Sequence, residues 1–282
     1  MSNHSYANPD VLISTQWLAD YLHDDGLRIV EVDMAPQKNE HQHIPGAVFW
    51  GYFTDILKPN FAQNLEPAAI QDLLARTGIT PDTTIVAYGS ELGTSTWIFW
   101  LLTTCGHKNV RVLNGGLKKW ISEQRPLLSQ LSEANPVSYS ITPTVDSSLR
   151  ITYGEIQANE KSQDPSEPVF LDVRTAAEYN GEIFMQKPPE NGERAGHIPG
   201  AVHIPHELNF QEDGTFKSVE ALSKLYAEAG ITPDKTIVPY CAIGARSAHV
   251  WFVLTHLLGY PNVRNYDGSW NEWSRIPEAP VE

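Results

Sequence analysis

Residues 237–247 of the chain read Ile-Val-Pro-Tyr-Cys-Ala-Ile-Gly-Ala-Arg-Ser, and this stretch decides the fold class. Its first four residues form a short apolar run that is typical of a buried strand. The segment from Ser247 to about Leu258 has the pattern of an amphipathic helix. The loop between them is short and contains Gly244, which permits backbone geometry that other residues resist. A strand, a short loop and a helix in this order indicate an α/β protein.

The sequence around this stretch occurs twice. Three motifs recur, 154, 152 and 153 residues apart: His-Ile-Pro-Gly-Ala-Val at 43–48 and 197–202, Gly-Ile-Thr-Pro-Asp at 78–82 and 230–234, and Asn-Val-Arg at 109–111 and 262–264. A near-constant offset of this length predicts two duplicated domains. We place the first domain at 8–125 and the second at 150–282, joined by a polar, proline-containing linker at 126–149.

Each copy predicts the same elements in the same order. The expected strands are 28–32 and 84–88 in the first copy, and 169–173 and 236–240 in the second. The expected helices are 15–21, 67–77 and 95–105 in the first copy, and 153–159, 218–229 and 247–258 in the second. Strands that alternate with helices predict, in each domain, a parallel sheet flanked by helices.

The composition narrows the possible partners and compartments. The formal net charge is -14, so neither a nucleic acid nor a membrane is expected as a partner. The two cysteines, Cys105 and Cys241, make no disulfide framework, which fits a reducing compartment. Residues 1–10 show no signal-peptide pattern, and no apolar run is long enough to cross a bilayer. We therefore expect a cytoplasmic protein.

Cys241 is the candidate nucleophile because it directly follows the predicted strand at 236–240. Ligands of open α/β sheets bind beyond the carboxyl ends of the strands. A tight loop there turns backbone N–H groups inward, and the helix that follows adds the positive end of its dipole. Arg246 adds a fixed positive charge, so the surroundings favour a thiolate. We expect Ser247 to be the N-cap of the helix.

The sequence resembles the tandem-domain rhodaneses, and its second copy is most similar to the bacterial CysA-like thiosulfate sulfurtransferases. The resemblance rests on the 241–247 loop and on motifs along the whole chain: Leu171-Asp172-Val173-Arg174 with Glu178, both His-Ile-Pro-Gly-Ala segments, and Asn265-Tyr266-Asp267-Gly268-Ser269-Trp270 with Trp273.

This resemblance implies two displacement steps. Cys241 takes the outer sulfur of a small anionic donor such as thiosulfate as a persulfide, and a thiol, a protein acceptor or cyanide then removes that sulfur. It implies no metal and no organic cofactor. The implied substrate-binding residues are those of the loop: Ala242, Ile243, Gly244, Ala245, Arg246 and Ser247. Asp172 and Arg174 are possible supporting residues, as a pair that braces the loop.

The first copy differs from the second at the position of the candidate nucleophile. Tyr88 matches Tyr240, so Gly89 stands where the second copy has Cys241. Its loop continues with Ser90, Glu91 and Leu92 and contains no arginine. We expect this domain to be catalytically silent. The resemblance implies that it closes one side of an interdomain pocket, with Met34 as a candidate wall residue.

Three alternatives remain at this point. The loop matches neither the 3-mercaptopyruvate sulfurtransferases nor the animal thiosulfate enzymes, and Glu178 stands where many animal enzymes carry an arginine. Because the loop matches neither class, it does not decide the donor, and 3-mercaptopyruvate is the first alternative to thiosulfate. A non-catalytic rhodanese-like binding module is a second alternative. A phosphatase or arsenate reductase is a third, although those enzymes have five residues between the cysteine and the arginine, whereas this loop has four.

Overall fold

The structure is a computed structural model that describes residues 5–34, 42–162, 168–190 and 192–282. The helices and strands of the first half are, in chain order, β1 (Leu12–Ile13), α1 (Thr15–Asp20), β2 (Leu27–Asp33), β3 (Val48–Gly51), α2 (Pro67–Arg76), β4 (Thr84–Tyr88), α3 (Thr94–Thr104), β5 (Val110–Leu113) and α4 (Gly116–Ser122). The strands form one parallel sheet of order β1-β5-β4-β2-β3.

The second half repeats this arrangement with a smaller sheet. Its elements are α5 (Tyr153–Ser162), β6 (Val169–Asp172), α6 (Ala176–Tyr179), β7 (Val202–His203), α7 (Val219–Glu228), β8 (Ile237–Tyr240), α8 (Ala245–Phe252) and α9 (Ser269–Trp273). The strands form a parallel sheet of order β7-β6-β8. Two alternating α/β units with parallel sheets confirm the predicted fold class.

The second sheet is smaller because its edge is paired only at single residues. Two isolated parallel bridges stand where the first sheet has β1 and β5: Ile237 with Val263, and Arg150 with Asn265. Pro239 on β8 stands where the first sheet has Ala87. Since proline has no N–H, the ladder on that side of β8 lacks one hydrogen bond.

The repeated His-Ile-Pro-Gly-Ala motif is fixed in the same way in both halves. The hydroxyl of Tyr88 accepts a hydrogen bond from the backbone N–H of Ile44 at 3.1 Å. The hydroxyl of Tyr240 accepts the equivalent bond from Ile198, also at 3.1 Å. Each tyrosine is the last residue of its strand, β4 or β8, so each motif turn is attached to the carboxyl end of its own sheet.

The two halves share one buried apolar cluster, which α3 and α8 join across the interface. The rings of Phe99 and Phe252 meet edge to face with centroids 5.0 Å apart. Thr96 Oγ1 lies 3.1 Å from Nδ1 of the fully buried His249. The apolar contact between the helices fixes the positions of their N-termini, at which the loops after β4 and β8 end.

The predicted helix at 247–258 differs from the observed one at both ends. It begins two residues earlier, at Ala245, because Gly244 adopts a left-handed conformation with φ of 91° and ends the loop. After Phe252 the chain continues as a π-helical turn, Val253–Leu257. Among the described residues, no helix is both long and apolar enough to cross a membrane.

Cys105 lies in the shared core after α3, as expected for a structural cysteine. Burial raises the pKa of its thiol to about 12, so the group is protonated at neutral pH. We predict that Cys105→Ala lowers the free energy of unfolding by about 1 kcal/mol, because it leaves a small cavity. Urea unfolding measures this loss. A variant that also loses the sulfur transfer implied by the resemblance contradicts a purely structural role for Cys105.

Candidate active site

Cys241 is the first residue after β8, and its side chain is fully buried. Its backbone N–H donates to Ser269 Oγ at 3.0 Å, and its carbonyl accepts from the N–H of Trp270 at 2.9 Å. The neighbouring carbonyl of Ala242 accepts from the N–H of Asn271 at 2.8 Å. The start of α9 therefore holds the first two residues of the loop by their backbones.

The sulfur of Cys241 faces hydrogen-bond donors. The backbone N–H of Gly244 lies 3.2 Å from Sγ, and the hydroxyl of Ser247 lies 3.6 Å from it. Ser269 Oγ is farther away, at 4.0 Å, and it already donates to the carbonyl of Tyr266 at 2.8 Å. A backbone amide, a hydroxyl and the N-terminus of α8 are the groups that stabilise negative charge on a sulfur atom.

Only glycine fits at position 244. A Cβ there would lie 2.5 Å from the carbonyl oxygen of Asp267, and φ is in the left-handed region. The loop therefore turns tightly enough to bring the Gly244 N–H back to the Cys241 sulfur. This is the local reason that a short segment of small residues can enclose one sulfur atom.

The prediction that Ser247 is the N-cap of the helix is wrong. Gly244 occupies the N-cap position, and Ser247 lies in the first turn of α8. Because the helix starts earlier than the sequence pattern indicates, the Ser247 hydroxyl turns towards the Cys241 sulfur. The position of Ser247 close behind the loop is a sequence signal for this contact. The predicted helix start at residue 247, two residues too late, hides it.

Arg246 forms an ion pair with Glu178. Its Nη1 and Nη2 each lie 2.7 Å from a different carboxylate oxygen of Glu178. Burial opposes the charge of Arg246, whereas Glu178 and the nearby Cys241 raise its pKa above the ordinary value. The carboxylate of Glu178 thus compensates much of the positive charge of Arg246, which the sequence analysis assigns to binding an anionic donor.

Glu178 is a site residue whose role the sequence did not reveal. Burial alone would raise its pKa, but the hydrogen bonds and charge of Arg246, together with Thr175, lower it to about 2. Glu178 and Thr175 also form a capping box at the start of α6. The carboxylate therefore links α6 to the cysteine loop.

Asp172 and Arg174 lie beneath the loop as a buried pair. Arg174 Nε lies 3.0 Å from Asp172 Oδ1, and Nη2 also donates to the carbonyl of Gly196 at 2.7 Å. The guanidinium lies over the ring of Trp270, with Cζ 4.6 Å from the centroid. These contacts tie Asp172 at the end of β6 to α9, and they favour a bracing role for both residues.

The first half of the chain covers the loop through one turn, residues 58–62, and the glutamine that follows it. Gln63 Nε2 donates to the carbonyl of Ile243 at 2.6 Å, and Gln63 Oε1 accepts from Trp97 Nε1 at 2.8 Å. Asn271 Nδ2 donates to the carbonyl of Asn60 at 3.0 Å. Sequence reasoning missed these residues because nothing local marks a contact between the two copies.

The loop after β4 occupies the equivalent place in the first half. Gly89 follows the strand, and the hydroxyl of Ser90 donates to the carboxylate of Asp33. Met34, the candidate wall residue, is half exposed after β2, and its role stays a prediction. Within the described ranges, no group of three or more histidine, cysteine, aspartate or glutamate residues could hold a metal ion.

Comparison with known proteins agrees with this geometry. The rhodanese-like domain family matches the chain twice, at residues 14–123 and 155–276. The chain belongs to the rhodanese family. Both matches fall inside the predicted domains at 8–125 and 150–282, whose bounds stay a prediction.

Curated relatives match the rhodanese over its full length. A sulfur carrier protein, TtuD, from Thermus thermophilus is 41% identical over 279 residues, covering 98% of each chain. A putative thiosulfate sulfurtransferase from Mycolicibacterium smegmatis is 39% identical over 282 residues, covering 98% of this chain and 99% of that one. The predicted family and the predicted sulfurtransferase class are thus confirmed.

A solved structure is similar in fold. The anaerobic ergothioneine biosynthesis enzyme from Chlorobium limicola superposes with a TM-score of 0.83 at 24% identity. The match covers 98% of this chain and 71% of that one. At this identity the likeness supports the tandem α/β fold and nothing finer.

The ion pair between Glu178 and Arg246 predicts a pH-dependent stability. The pKa of Glu178 is about 2 in the folded protein against an ordinary value of 4.5. The pair therefore stabilises the fold above pH 4.5, and this contribution is lost as the pH falls towards 2. Glu178→Gln should lower the free energy of unfolding at pH 7 by about 3 kcal/mol, because it leaves the largely buried Arg246 without its partner. Urea unfolding at several pH values between 4.5 and 2 measures this: the free energy of unfolding should fall less with decreasing pH in the variant than in the wild type.

Glu155→Gln is the matched control for this experiment. Glu155 caps a helix through Thr152 and pairs with Arg264 at 2.6 Å, in the same arrangement but at a more exposed site. Its replacement should change the stability less. Equal losses in the two variants would contradict a special contribution from the pair beside Cys241.

Proposed function

We propose that this rhodanese moves a sulfane sulfur from thiosulfate to a nucleophilic acceptor through a persulfide on Cys241. The observation that carries the proposal is the contact between the Gly244 N–H and the Cys241 sulfur at the N-terminus of α8. The names of the full-length relatives support sulfur transfer, and one of them is named a putative thiosulfate sulfurtransferase.

The reaction balances without an oxidant or a reductant. In the first step the Cys241 thiolate attacks the outer sulfur of thiosulfate. A new S–S bond forms, the S–S bond of thiosulfate breaks, and its electron pair leaves with sulfite. In the second step a thiolate or cyanide attacks the outer sulfur of the persulfide, and the Cys241 thiolate leaves. The covalent intermediate divides one transfer into two displacements.

The loop residues have separate roles in this scheme. The amide of Gly244 and the hydroxyl of Ser247 stabilise negative charge on the cysteine sulfur, and the amides at the start of α8 extend this environment to an outer sulfur. Ala242, Ile243 and Ala245 leave a narrow, largely apolar surround. Glu178 compensates much of the charge of Arg246 and fixes its guanidinium beside the loop, where the remaining N–H groups bind a small anionic donor.

Access to the sulfur requires a local opening. Cys241 is fully buried. The turn at 58–62 accepts a hydrogen bond from Asn271 of α9, and Gln63, which follows the turn, donates to Ile243 of the cysteine loop. A donor reaches the sulfur when this turn and the loop separate. The silent first domain therefore acts as a cover for the catalytic loop of the second.

The persulfide is the first test. We predict that incubation with thiosulfate adds the mass of one sulfur atom to the wild-type protein and to Cys105→Ala. Cys241→Ser should gain no mass and transfer no sulfur, because a hydroxyl does not replace the thiolate. Intact mass spectrometry measures both. A Cys241→Ser variant that still gains one sulfur refutes the mechanism, and a wild-type protein that never gains it points to a binding module.

The choice of donor is a separate test. We predict a higher kcat/KM for thiosulfate than for 3-mercaptopyruvate when both are measured on one preparation with cyanide as the acceptor. The ratio reports differences in transition-state binding between the two donors. The opposite order would assign the protein to the 3-mercaptopyruvate enzymes, while the persulfide on Cys241 would stay in place.

A further inference from the structure

Phe61 has a backbone conformation that is unusual for an aromatic residue. Its φ is 64°, in the left-handed region that favours glycine. The conformation belongs to a tight turn, in which the N–H of Phe61 donates to the carbonyl of Lys58 at 2.9 Å. The N–H of Lys58 donates to the carbonyl of Ala62 at 2.8 Å. The turn requires a left-handed residue at position 61, and glycine would meet that requirement without strain.

The second copy supplies the comparison. It contains the same turn. The backbone N–H of Gln211 donates to the carbonyl of Thr215 at 2.8 Å, and the N–H of Gly214 donates to the carbonyl of Gln211 at 3.0 Å. Gly214 has a φ of 84° and stands where the first copy has Phe61. One fold thus holds the same turn twice, once with the residue that the backbone favours and once with a phenylalanine.

The two turns face different loops. Gly214 lies against the silent loop, where a Cβ would come within 3.1 Å of Leu92 Cδ2 and 3.3 Å of the carbonyl oxygen of Gly115. The turn with Phe61 lies on the Cys241 side, where Asn60 accepts from Asn271 and Gln63 donates to Ile243. The strained aromatic residue therefore occurs only in the turn that covers the catalytic loop.

The ring of Phe61 is open to solvent on one side. Its residue is 37% exposed, and its ring meets that of Phe53, which is 52% exposed, edge to face with centroids 6.1 Å apart. Because more than a third of the residue stays exposed, burial of the ring offsets the backbone strain only in part. Strain that persists beside a reactive group points to a functional requirement.

We propose that Phe61 is a specificity-determining residue, whose ring forms an aromatic wall at the interdomain mouth of the Cys241 site and contacts the apolar part of an organic thiol acceptor. Thiosulfate and cyanide have no apolar surface that would gain from such a wall, so the ring acts on the second half-reaction. There the acceptor thiolate attacks the outer sulfur, an organic persulfide forms, and the Cys241 thiolate leaves.

This inference rests on the proposed function, and the test separates the two. Wild type, Phe61→Gly and Phe61→Leu are compared with thiosulfate as the donor and with cyanide, 2-mercaptoethanol and benzyl mercaptan as acceptors. In Phe61→Gly the ratio of kcat/KM for benzyl mercaptan to that for cyanide should fall about tenfold. Phe61→Leu should lie between, and 2-mercaptoethanol should respond less than benzyl mercaptan.

The melting temperature distinguishes a wall from a packing residue. Phe61→Gly removes the left-handed strain, so its melting temperature should be no lower than that of the wild type. The control is Tyr21→Ala, which removes an exposed ring that stacks on Trp17 in the first domain and should leave the acceptor ratio unchanged.

Two outcomes overturn the inference. The first is an unchanged acceptor ratio in Phe61→Gly. The second is an equal loss with every acceptor together with a lower melting temperature, which would make Phe61 structural. Either result leaves the persulfide intact, whereas a wild-type protein that transfers no sulfur to cyanide removes the proposed function itself.

Discussion

The backbone N–H of Gly244 and the sulfur of Cys241 lie 3.2 Å apart, and the rest of the site is organised around this contact. It exists because β8 ends at Tyr240 and α8 begins at Ala245, with only four residues between them. A side chain at position 244 would collide with the carbonyl of Asp267, so the tight turn requires glycine.

Duplication lets the first domain cover this tight loop of the second domain. The two sheets share one apolar cluster through α3 and α8, and Cys241 is itself a buried member of that cluster. The ion pair of Arg246 with Glu178 attaches the loop to α6. The sulfur of Cys241 is thus kept from solvent by packing and by the hydrogen bonds that Asn60 and Gln63 of the first half make with the second.

The sequence predicted what depends on local pattern. The strand before Cys241, the left-handed glycine at position 244 and the α/β repeat all follow from residues that are close in the chain. The catalytic silence of the loop at Gly89 stays a prediction. It did not predict the pairing of Arg246 with Glu178 or the hydrogen bond from Gln63 to Ile243, because both join residues far apart in the chain. It also misplaced Ser247, since helix periodicity locates a helix start only to within a few residues.

The central claim is that the loop stabilises an outer sulfur atom on Cys241. The most direct measurement is a crystal structure of the protein after reaction with thiosulfate. We expect additional density for one sulfur atom bonded to Cys241 Sγ and directed at the backbone amides that begin α8. Density for that sulfur on Cys105, or on Cys241 but turned away from those amides, would contradict it.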